Sequence, residues 1–294
     1  MSSTSQLRTC LLVVLLLPAV AFSQQAEQKS VSRTDANFQY TTLQVPGSTS
    51  TMAYAVNNDG DIVGTFISGG VESGFVYTGG VFQTIFCPGA SYTVAQGIND
   101  KGVVVGYCDP NMYTGFVYQN GTYSYIKHPQ PGATYLMGIN NQGVMVGIWQ
   151  KRDGGFQRSF VYSNGTFSTI NGMRLPGGIN NSNTVTGIAC NNKTDVCHGA
   201  IYFQGENGWK SHKDVNYPGA ASTLLGGIND NSEVVGYTEQ PQDFVYNISS
   251  KTFTGFEVGN SVQSQAEGIN NSGEIVGWYY DGTTTYGFYG QLSQ

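Results

Sequence analysis

The chain has 294 residues, of which 40 are glycine and only 32 are charged (13 Lys and Arg, 19 Asp and Glu). Much glycine, with 19 Tyr and 15 Phe, suits short strands and tight turns and excludes a helical bundle. A hydrophobic fraction of 39% argues against disorder, and a formal charge of −6 without any basic run argues against a nucleic-acid partner.

The N-terminus has the pattern of a targeting segment. Arg8 precedes an apolar stretch over residues 11–20, and small residues Ala21 and Ser23 follow it. This pattern predicts a secretory signal peptide over residues 1–23, cleaved near Ser23. The stretch is shorter than the roughly 20 residues that span a bilayer, so we expect no membrane span, although an uncleaved anchor stays an alternative. Residues 24–36 are polar and predict a flexible lead, and the mature protein is expected to be extracellular or periplasmic.

Six copies of one phrase follow, close to Gly-Ile-Asn-x-x-Gly-x-Val-Val-Gly. Successive copies are 40 to 49 residues apart, which is the period of propeller repeats with several strands per unit. The copies occupy residues 55–64, 97–106, 138–147, 178–187, 227–236 and 268–277.

Each unit reads as four strands. Strand A runs through Gly-Ile-Asn and strand B through Ile-Val-Gly. Strand C contains a Phe-Val-Tyr phrase, as at residues 75–77, and strand D follows a tight turn such as Asn120-Gly121, a strong hairpin signal. Both faces of a blade are expected to be buried, with Phe75 and Tyr77 on one side and Val76 on the other.

The two ends of the chain complete each other. A D-type strand over residues 38–45 precedes the first unit, and the last unit has strands A, B and C but no D. The N-terminal strand is therefore expected to pair beside residues 286–291 and remove an open sheet edge. The prediction is an all-β, six-bladed β-propeller of four-stranded antiparallel blades, closed by the N-terminal strand and forming one domain over residues 37–294.

The cysteines indicate disulfides. Removal of the signal peptide deletes Cys10 and leaves four cysteines, an even count typical of exported proteins. Cys190 and Cys197 flank a short polar loop, so a bridge across a hairpin neck is expected, and Cys87 and Cys108 are left to pair. Four cysteines allow three connectivities, and free buried thiols stay an alternative. Close C-x-x-C pairs are missing, which argues against zinc.

The two phrases together resemble the HAF-type extracellular repeat of bacterial secreted proteins. The resemblance covers nearly the whole mature chain and implies export and a propeller-like fold. The His-Ala-Phe phrase of that family is mostly Gly-Phe here, with His198-Gly199-Ala200 as its nearest counterpart. The resemblance implies no established reaction, and it assigns no catalytic residue to this chain.

Motifs for metal or catalytic chemistry are weak. Asn57, Asp59 and Asp61 alternate like calcium ligands, but the other units do not repeat the pattern, so the turn is interpreted as structural and no metal or cofactor is expected. The histidines stand in no recognised catalytic motif, and no pair of carboxylates stands out for glycoside hydrolysis. The sequence therefore leans against an enzyme without excluding one.

The connections between strands B and C are the variable part of each unit. Variable loops on a rigid scaffold carry binding residues, and flat aromatic faces stack on sugars and on peptide side chains. We expect a ligand-binding mouth where these loops meet the Pro-Gly-Ala turns, bordered by Tyr113, Trp149, Arg152, His198, Tyr279 and Tyr280.

Three functions remain open at this point. The leading one is a secreted binding module for a glycan or protein at the cell surface. A carbohydrate-active hydrolase or lyase would need two carboxylates, or a tyrosine and a histidine, that converge in the channel mouth. A non-catalytic envelope scaffold would have no concave polar site.

Overall fold

The computed structural model describes residues 33–109, 113–151, 157–190, 196–205, 208–240, 242–259 and 261–293. Within these ranges the chain forms strands and turns, and no helix. The predicted signal peptide and residues 24–32 of the predicted lead lie outside them. No helix of the described ranges has the length and apolar character needed to cross a membrane.

The strands follow the order predicted from the repeats. Before and within the first repeat they are β1 (Arg33–Asp35), β2 (Phe38–Leu43), β3 (Ser50–Val56), β4 (Ile62–Ser68), β5 (Val71–Thr78) and β6 (Val81–Ile85). In the second and third repeats they are β7 (Thr93–Ile98), β8 (Val104–Cys108), β9 (Thr114–Gln119), β10 (Thr122–Ile126), β11 (Gly132–Ile139), β12 (Met145–Lys151), β13 (Gln157–Ser163) and β14 (Thr166–Ile170).

The remaining repeats contribute the C-terminal strands. The fourth and fifth repeats form β15 (Leu175–Ile179), β16 (Val185–Cys190), β17 (Cys197–Gly205), β18 (Gly208–Val215), β19 (Thr223–Ile228), β20 (Glu233–Thr238), β21 (Asp243–Asn247) and β22 (Thr252–Phe256). The sixth repeat forms β23 (Gln263–Ile269), β24 (Ile275–Tyr280) and β25 (Thr285–Leu292).

These strands form a propeller-like arrangement of small antiparallel sheets. Strands β7–β10, β11–β14 and β15–β18 each form a four-stranded sheet, and β19–β22 form a fourth small sheet that β1 extends. An eight-stranded sheet holds β23–β25 and β2 together with β3–β6. Its two halves meet at one parallel residue pair, Thr285 with Ser50.

The N-terminal strand pairs as the sequence predicts. Strand β2 runs antiparallel to β25, with Phe38 opposite Leu292 and Leu43 opposite Gly287. The predicted lead is shorter than expected, because Arg33–Asp35 form β1 and pair in parallel with β22. The backbone N–H of Ala36 also donates to the carbonyl oxygen of Gly255 at 2.9 Å. This edge of β22 offers free backbone groups, which a polar segment can satisfy without burying side chains.

The A strands surround a central axis so closely that side chains are excluded at one position. A Cβ built on Gly97 would lie 3.0 Å from Cα of Gly138, and one on Gly178 would lie 2.9 Å from Cα of Gly227. The glycine that ends each B-strand phrase is equally constrained, since a Cβ on Gly106 would lie 1.9 Å from the Val94 carbonyl oxygen. Glycine permits this close approach of backbones because it has no side chain.

The core lies between neighbouring sheets. The C-strand phenylalanines Phe75, Phe116, Phe244 and Phe288 are fully buried. Phe75 and Tyr77 pack in one cluster and Val76 in the next, as predicted. The Asn-Gly hairpin turns are present too, with φ of 50° at Asn120 and 82° at Gly121.

The A–B turns close one end of the axis through two hydrogen-bonded rings. The Nδ2 group of each leading asparagine donates to the carbonyl oxygen of the next, from Asn57 to Asn99 at 3.3 Å and finally from Asn270 back to Asn57 at 3.0 Å. The intermediate bonds run through Asn140, Asn180 and Asn229. A second ring joins the following residues, in which each backbone N–H donates to the next side-chain oxygen: Asn58, Asp100, Asn141, Asn181, Asp230 and Asn271.

Each A–B turn is also stabilised within itself. The Asn99 Oδ1 atom accepts the backbone N–H groups of Lys101 and Val103, and the other leading asparagines make corresponding bonds. Burial raises the pKa of Asp100, but donors from Asn58 and Asn141 outweigh it and hold that pKa below its ordinary value. These contacts support the structural interpretation of the turn over a calcium site.

Both predicted disulfides are present. Cys87 is bonded to Cys108 and Cys190 to Cys197. Cys190 and Cys197 are register partners in β16 and β17, so this bridge closes a hairpin neck as expected.

Candidate functional site

An apolar ring divides the channel at the axis into two parts. It consists of the A-strand residues that precede the leading asparagines, each 7% exposed: Val56, Ile98, Ile139, Ile179, Ile228 and Ile269. On one side lies the cavity bordered by the asparagine rings. On the other lies a second cavity of about 430 Å³, solvent-open space included, which we call the cup.

The cup lies at the end of the channel where the A strands begin and the B strands end. Its wall includes the residue before each Gly-Ile pair, and these residues differ from repeat to repeat. Each A–B pairing has a register shift at this point, and such a bulge leaves a residue out of the ladder and re-aims its side chain. The side chains that line the cup at this position belong to Tyr54, Gln96, Met137 and Glu267, with Gly177 between them.

Aromatic residues from the B strands stand behind this wall. The indole N–H of Trp278 donates to Oε1 of Glu267 at 3.2 Å, and the Tyr107 hydroxyl is hydrogen bonded to Gln96. Burial raises the pKa of the Tyr54 hydroxyl well above its ordinary value, and Tyr107, Glu72, Glu267 and Tyr237 raise it further. The Tyr54 hydroxyl donates a hydrogen bond to Sδ of Met52 at 3.3 Å.

Glu267 of the cup and the buried Asp243, whose charge acts on it, have strongly shifted pKa values. Burial raises the pKa of Glu267 to about 7; the Trp278 hydrogen bond opposes this shift and the charge of Asp243 adds to it. Burial likewise raises the pKa of Asp243 to about 7, against hydrogen bonds from Ser264 and from the Ala266 N–H. Both groups therefore exchange protons near neutral pH.

Asp243 differs from the residues at the corresponding position of the other repeats. It is fully buried, and its Oδ1 atom accepts the Ala266 N–H at 2.8 Å. Its Oδ2 atom is buried without a hydrogen-bond partner among the described residues. The corresponding residues of the other repeats are small: Gly74, Gly115, Ser159, Gly199 and Gly287.

Four tyrosines extend from the cup toward the B–C connections. Tyr107 packs on Tyr135 with ring centroids 4.9 Å apart, and Tyr135 packs on Tyr113 at 5.4 Å. Tyr92 completes the group, 5.5 Å from Tyr113 and 6.4 Å from Tyr107. Tyr113, predicted as a ligand contact, is thus linked to the cup through its neighbours.

Trp149 and Tyr279 do not offer open aromatic faces. Trp149 is 5% exposed, and its indole N–H donates to the Gln130 carbonyl oxygen at 3.1 Å. Tyr279 is 8% exposed, and its hydroxyl lies 3.0 Å from Oγ1 of Thr42 in β2. Because successive side chains of a strand point to opposite faces, Trp278 contacts the cup residue Glu267 and Tyr279 packs outward. The predicted stacking role is not supported at these two positions.

The other predicted residues lie at the B–C connections. The Tyr280 hydroxyl donates to the Gly282 carbonyl oxygen at 2.6 Å within its own loop. His198 stands at the start of β17, with Nδ1 3.6 Å from Oδ1 of Asp214. Arg152 lies outside the described residues. No group of three or more His, Cys, Asp or Glu side chains suited to hold a metal occurs in the described ranges.

Sequence reasoning missed the residues that line the cup. A position-by-position alignment of the six repeats carries a signal for them, because the two residues after this position are Gly-Ile in five of the six repeats while the position itself varies: Tyr54, Gln96, Met137, Gly177, Gly226 and Glu267. The prediction placed the site on the longer B–C loops because the A strands share one repeated phrase.

No family model matches this chain, and no curated protein matches it. Solved structures do resemble it. A gluconolactonase from Xanthomonas campestris, described as important in glucose secondary metabolic pathways, is 8% identical with a TM-score of 0.56, over 87% of this chain and 90% of that one. A luciferin-regenerating enzyme is 9% identical with a TM-score of 0.53, over 86% and 95%. At these identities the likeness defines the class as a propeller fold and says nothing of activity.

Proposed function

We propose that this protein is a secreted β-propeller binding module that recognises a glycan or a protein at the cell surface and holds part of it in the cup. The observation that carries the proposal is the cup itself, a polar concavity closed at its base by the apolar ring and lined by Tyr54, Gln96 and Glu267. Concave sites with a few convergent polar groups are typical ligand sites. A scaffold without a binding role has no need of such a cavity.

The rim around the cup has features of a contact surface. Val71 is 44% exposed, Val196 47% and Val262 62%. Val71 begins β5, and the other two lie in a B–C and a D–A connection. Apolar groups on a polar rim suit the carbon faces of sugars or peptide side chains. Tyr113, Tyr280, His198 and Arg152 remain our candidates for the outer part of the site.

We also propose that the ring has six blades and belongs with the HAF-type repeats. Two observations support six blades: the asparagine ring passes through six repeats before it returns to Asn57, and the halves of the eight-stranded sheet share one residue pair. The two disulfides suit an oxidising compartment, extracellular or periplasmic. A crystal structure of the mature protein tests the blade count directly.

The binding role can be tested with matched tyrosine variants. A glycan and surface-protein array probed with the mature protein should return a ligand. Tyr54→Phe should weaken its binding by about 2- to 10-fold, because the variant loses one hydrogen-bonding group. Tyr125→Phe is the control, since Tyr125 is 41% exposed on β10 away from the channel. An array without hits, or equal affinities of the two variants, would contradict the proposal.

A hydrolase is the second candidate, favoured by one observation. The charge of Asp243 acts on Glu267, and burial raises the pKa of each to about 7, as a carboxyl acid near its working pH requires. Chromogenic glycosides and sugar lactones incubated with the same preparation distinguish the two functions. If the wild-type protein turns over one of these substrates and Glu267→Gln does not, the protein is an enzyme and the binding proposal is wrong.

A further inference from the structure

The polar side chains that line the cup lie together on one side of it. The wall position two residues before the apolar ring carries Glu267 in the sixth repeat, Tyr54 in the first and Gln96 in the second. The sixth and first repeats are neighbours, because a Cβ built on Gly268 would lie 2.8 Å from the Tyr54 carbonyl oxygen. The same position of the other three repeats has no polar side chain: Met137, Gly177 and Gly226.

Glu267 and Gln96 keep hydrogen-bonding groups that the protein does not use. Oε1 of Glu267 accepts the Trp278 N–H at 3.2 Å, and no hydrogen bond from the described residues reaches its Oε2 atom. Burial raises the pKa of the Tyr107 hydroxyl, and its hydrogen bond with Gln96 opposes that shift, which is the effect of an N–H donor. Gln96 is 8% exposed and lines the cup, so its carbonyl oxygen and second N–H are left for a ligand.

These remaining groups include both donors and acceptors. A ligand carboxylate offers only acceptors and would be repelled by Glu267, and an ammonium group offers only donors. A hydroxyl group donates and accepts at one atom, so two neighbouring hydroxyls match a carboxyl group and a carboxamide. Neighbouring hydroxyls are therefore the ligand groups that complement the polar side of the cup.

The rest of the cup lining is apolar or backbone. Its base is the apolar ring of Val56 and its five counterparts, and Met137 belongs to the wall. Gly177 adds no side chain, and none fits there, since a Cβ would lie 2.5 Å from the Leu225 carbonyl oxygen. A group that fills the cup must therefore carry hydroxyls along one edge and apolar C–H groups elsewhere. A sugar ring has this composition, whereas a serine or threonine side chain of a peptide offers a single hydroxyl.

We infer that the cup holds one neutral sugar residue of a glycan, with two of its neighbouring hydroxyl groups on Glu267 and Gln96. This inference rests on the proposed binding function and specifies its ligand class. The C–H groups of the sugar ring pack on Met137 and on the apolar ring. The Tyr54 hydroxyl, whose hydrogen is donated to Met52, accepts a further hydrogen bond from the sugar.

Isothermal titration calorimetry with neutral tetrasaccharides tests the inference. The probes are the β-1,4-linked tetramers of glucose, mannose and galactose, and we expect at least one of them to bind. Versions of that tetramer that lack one hydroxyl each should then identify two neighbouring positions. Loss of either hydroxyl should weaken binding by about 3- to 10-fold, as the loss of one hydrogen bond does. These measurements use the wild-type protein and do not depend on the folding of any variant.

A Gln96 variant shows whether one of these hydroxyls contacts the cup wall directly. Gln96→Met removes the amide and should weaken binding of the parent tetramer by about 3- to 10-fold. The deoxy tetramer that lacks the hydroxyl facing Gln96 should bind this variant as well as the parent tetramer does, because the two changes remove the same contact. Met137→Leu is the control, an apolar exchange at the same wall position of the third repeat, and should change the affinity less than about twofold.

Several outcomes would overturn the inference while leaving the binding function intact. One is that no neutral tetramer binds, whether or not the tetramers of glucosamine, N-acetylglucosamine or mannuronic acid do. Others are that no neighbouring pair of hydroxyls matters, or that the losses from Gln96→Met and from the deoxy sugars simply add. A protein as the only hit of the array would also overturn it. Failure of the binding function itself would appear separately, as an array without hits.

Discussion

Asp243 departs from the repeat pattern and introduces a buried carboxyl group. Four of the five corresponding positions are glycine and the fifth is Ser159, so the fold does not need a carboxylate there. The carboxylate binds the backbone of the next repeat through the Ala266 N–H and leaves one oxygen without a partner. A buried, partly satisfied acid of this kind reduces stability and is expected at functional sites.

The effect of Asp243 on stability should depend on pH. Its pKa is about 7 in the folded protein against about 3.9 in an unfolded chain. Between these pH values the folded state holds a proton that the unfolded state releases, so stability falls as the pH rises through this window. Asp243→Asn keeps an Oδ1 acceptor for Ala266 and has no charge. The variant should therefore unfold with a free energy about 2–4 kcal/mol above wild type at pH 8, and the difference should shrink toward pH 4.

Urea unfolding at pH 4, 6 and 8 measures this dependence. Asp59→Asn, on the exposed A–B turn, is the matched control and should show no comparable trend. A gain for Asp243→Asn that is the same at all three pH values would show that packing, and not proton binding, causes it.

At the scale of single strands, the glycines after the B-strand valines fix how the sheets pack. The Phe116 ring lies against Gly106, where a built Cβ would be 2.9 Å from the ring and 1.9 Å from the Val94 carbonyl oxygen. Phe116 itself is fully buried. The small residue is thus required by the backbone of strand A on one side and by the core phenylalanine on the other.

Gly106→Ala should therefore destabilise the protein strongly. We expect a loss of about 3 kcal/mol or more in the free energy of unfolding, because neither the backbone nor a fully buried ring can move away cheaply. Gly259→Ala is the control, since a Cβ there would meet its nearest atom, the Tyr40 hydroxyl oxygen, at 3.8 Å. Thermal unfolding of the two variants compares them, and equal melting temperatures would contradict the close-packing account.

Most of the strands could be predicted from the sequence, because the signals for them are local. Asn-Gly turns and an unpaired N-terminal strand are local signals with definite physical meanings, and they predicted the hairpins and the pairing of β2 with β25. Strand β1 was missed because its residues Arg33–Asp35 carry no apolar alternation in the sequence.

The site was less predictable, for a different reason. Whether Trp278 or Tyr279 faces the cup depends on the parity of one strand position, and a one-residue change reverses the face. Adjacent aromatic residues give no signal for that choice. The bulge that directs Tyr54 and Glu267 toward the axis is also a backbone feature with no sequence motif of its own.

At the scale of the whole molecule, the two ends of the channel differ in how their polar groups are satisfied. The asparagine rings satisfy their polar groups within the protein and join the repeats in a closed circuit. The cup is lined by Glu267, whose pKa burial raises to about 7, and Asp243, whose charge acts on Glu267, has a buried oxygen without a partner among the described residues. One end is rigid and its polar groups are hydrogen bonded within the protein, whereas the other end has a polar group without a partner. This arrangement is expected of a scaffold that presents one binding face.

A crystal structure of the mature protein with a bound ligand from the array tests this account most directly. The account predicts ligand density in the cup, in contact with Tyr54 and Glu267 and on the open side of the ring formed by Val56 and its five counterparts. Ligand density at the asparagine rings, with the cup unchanged, would contradict it.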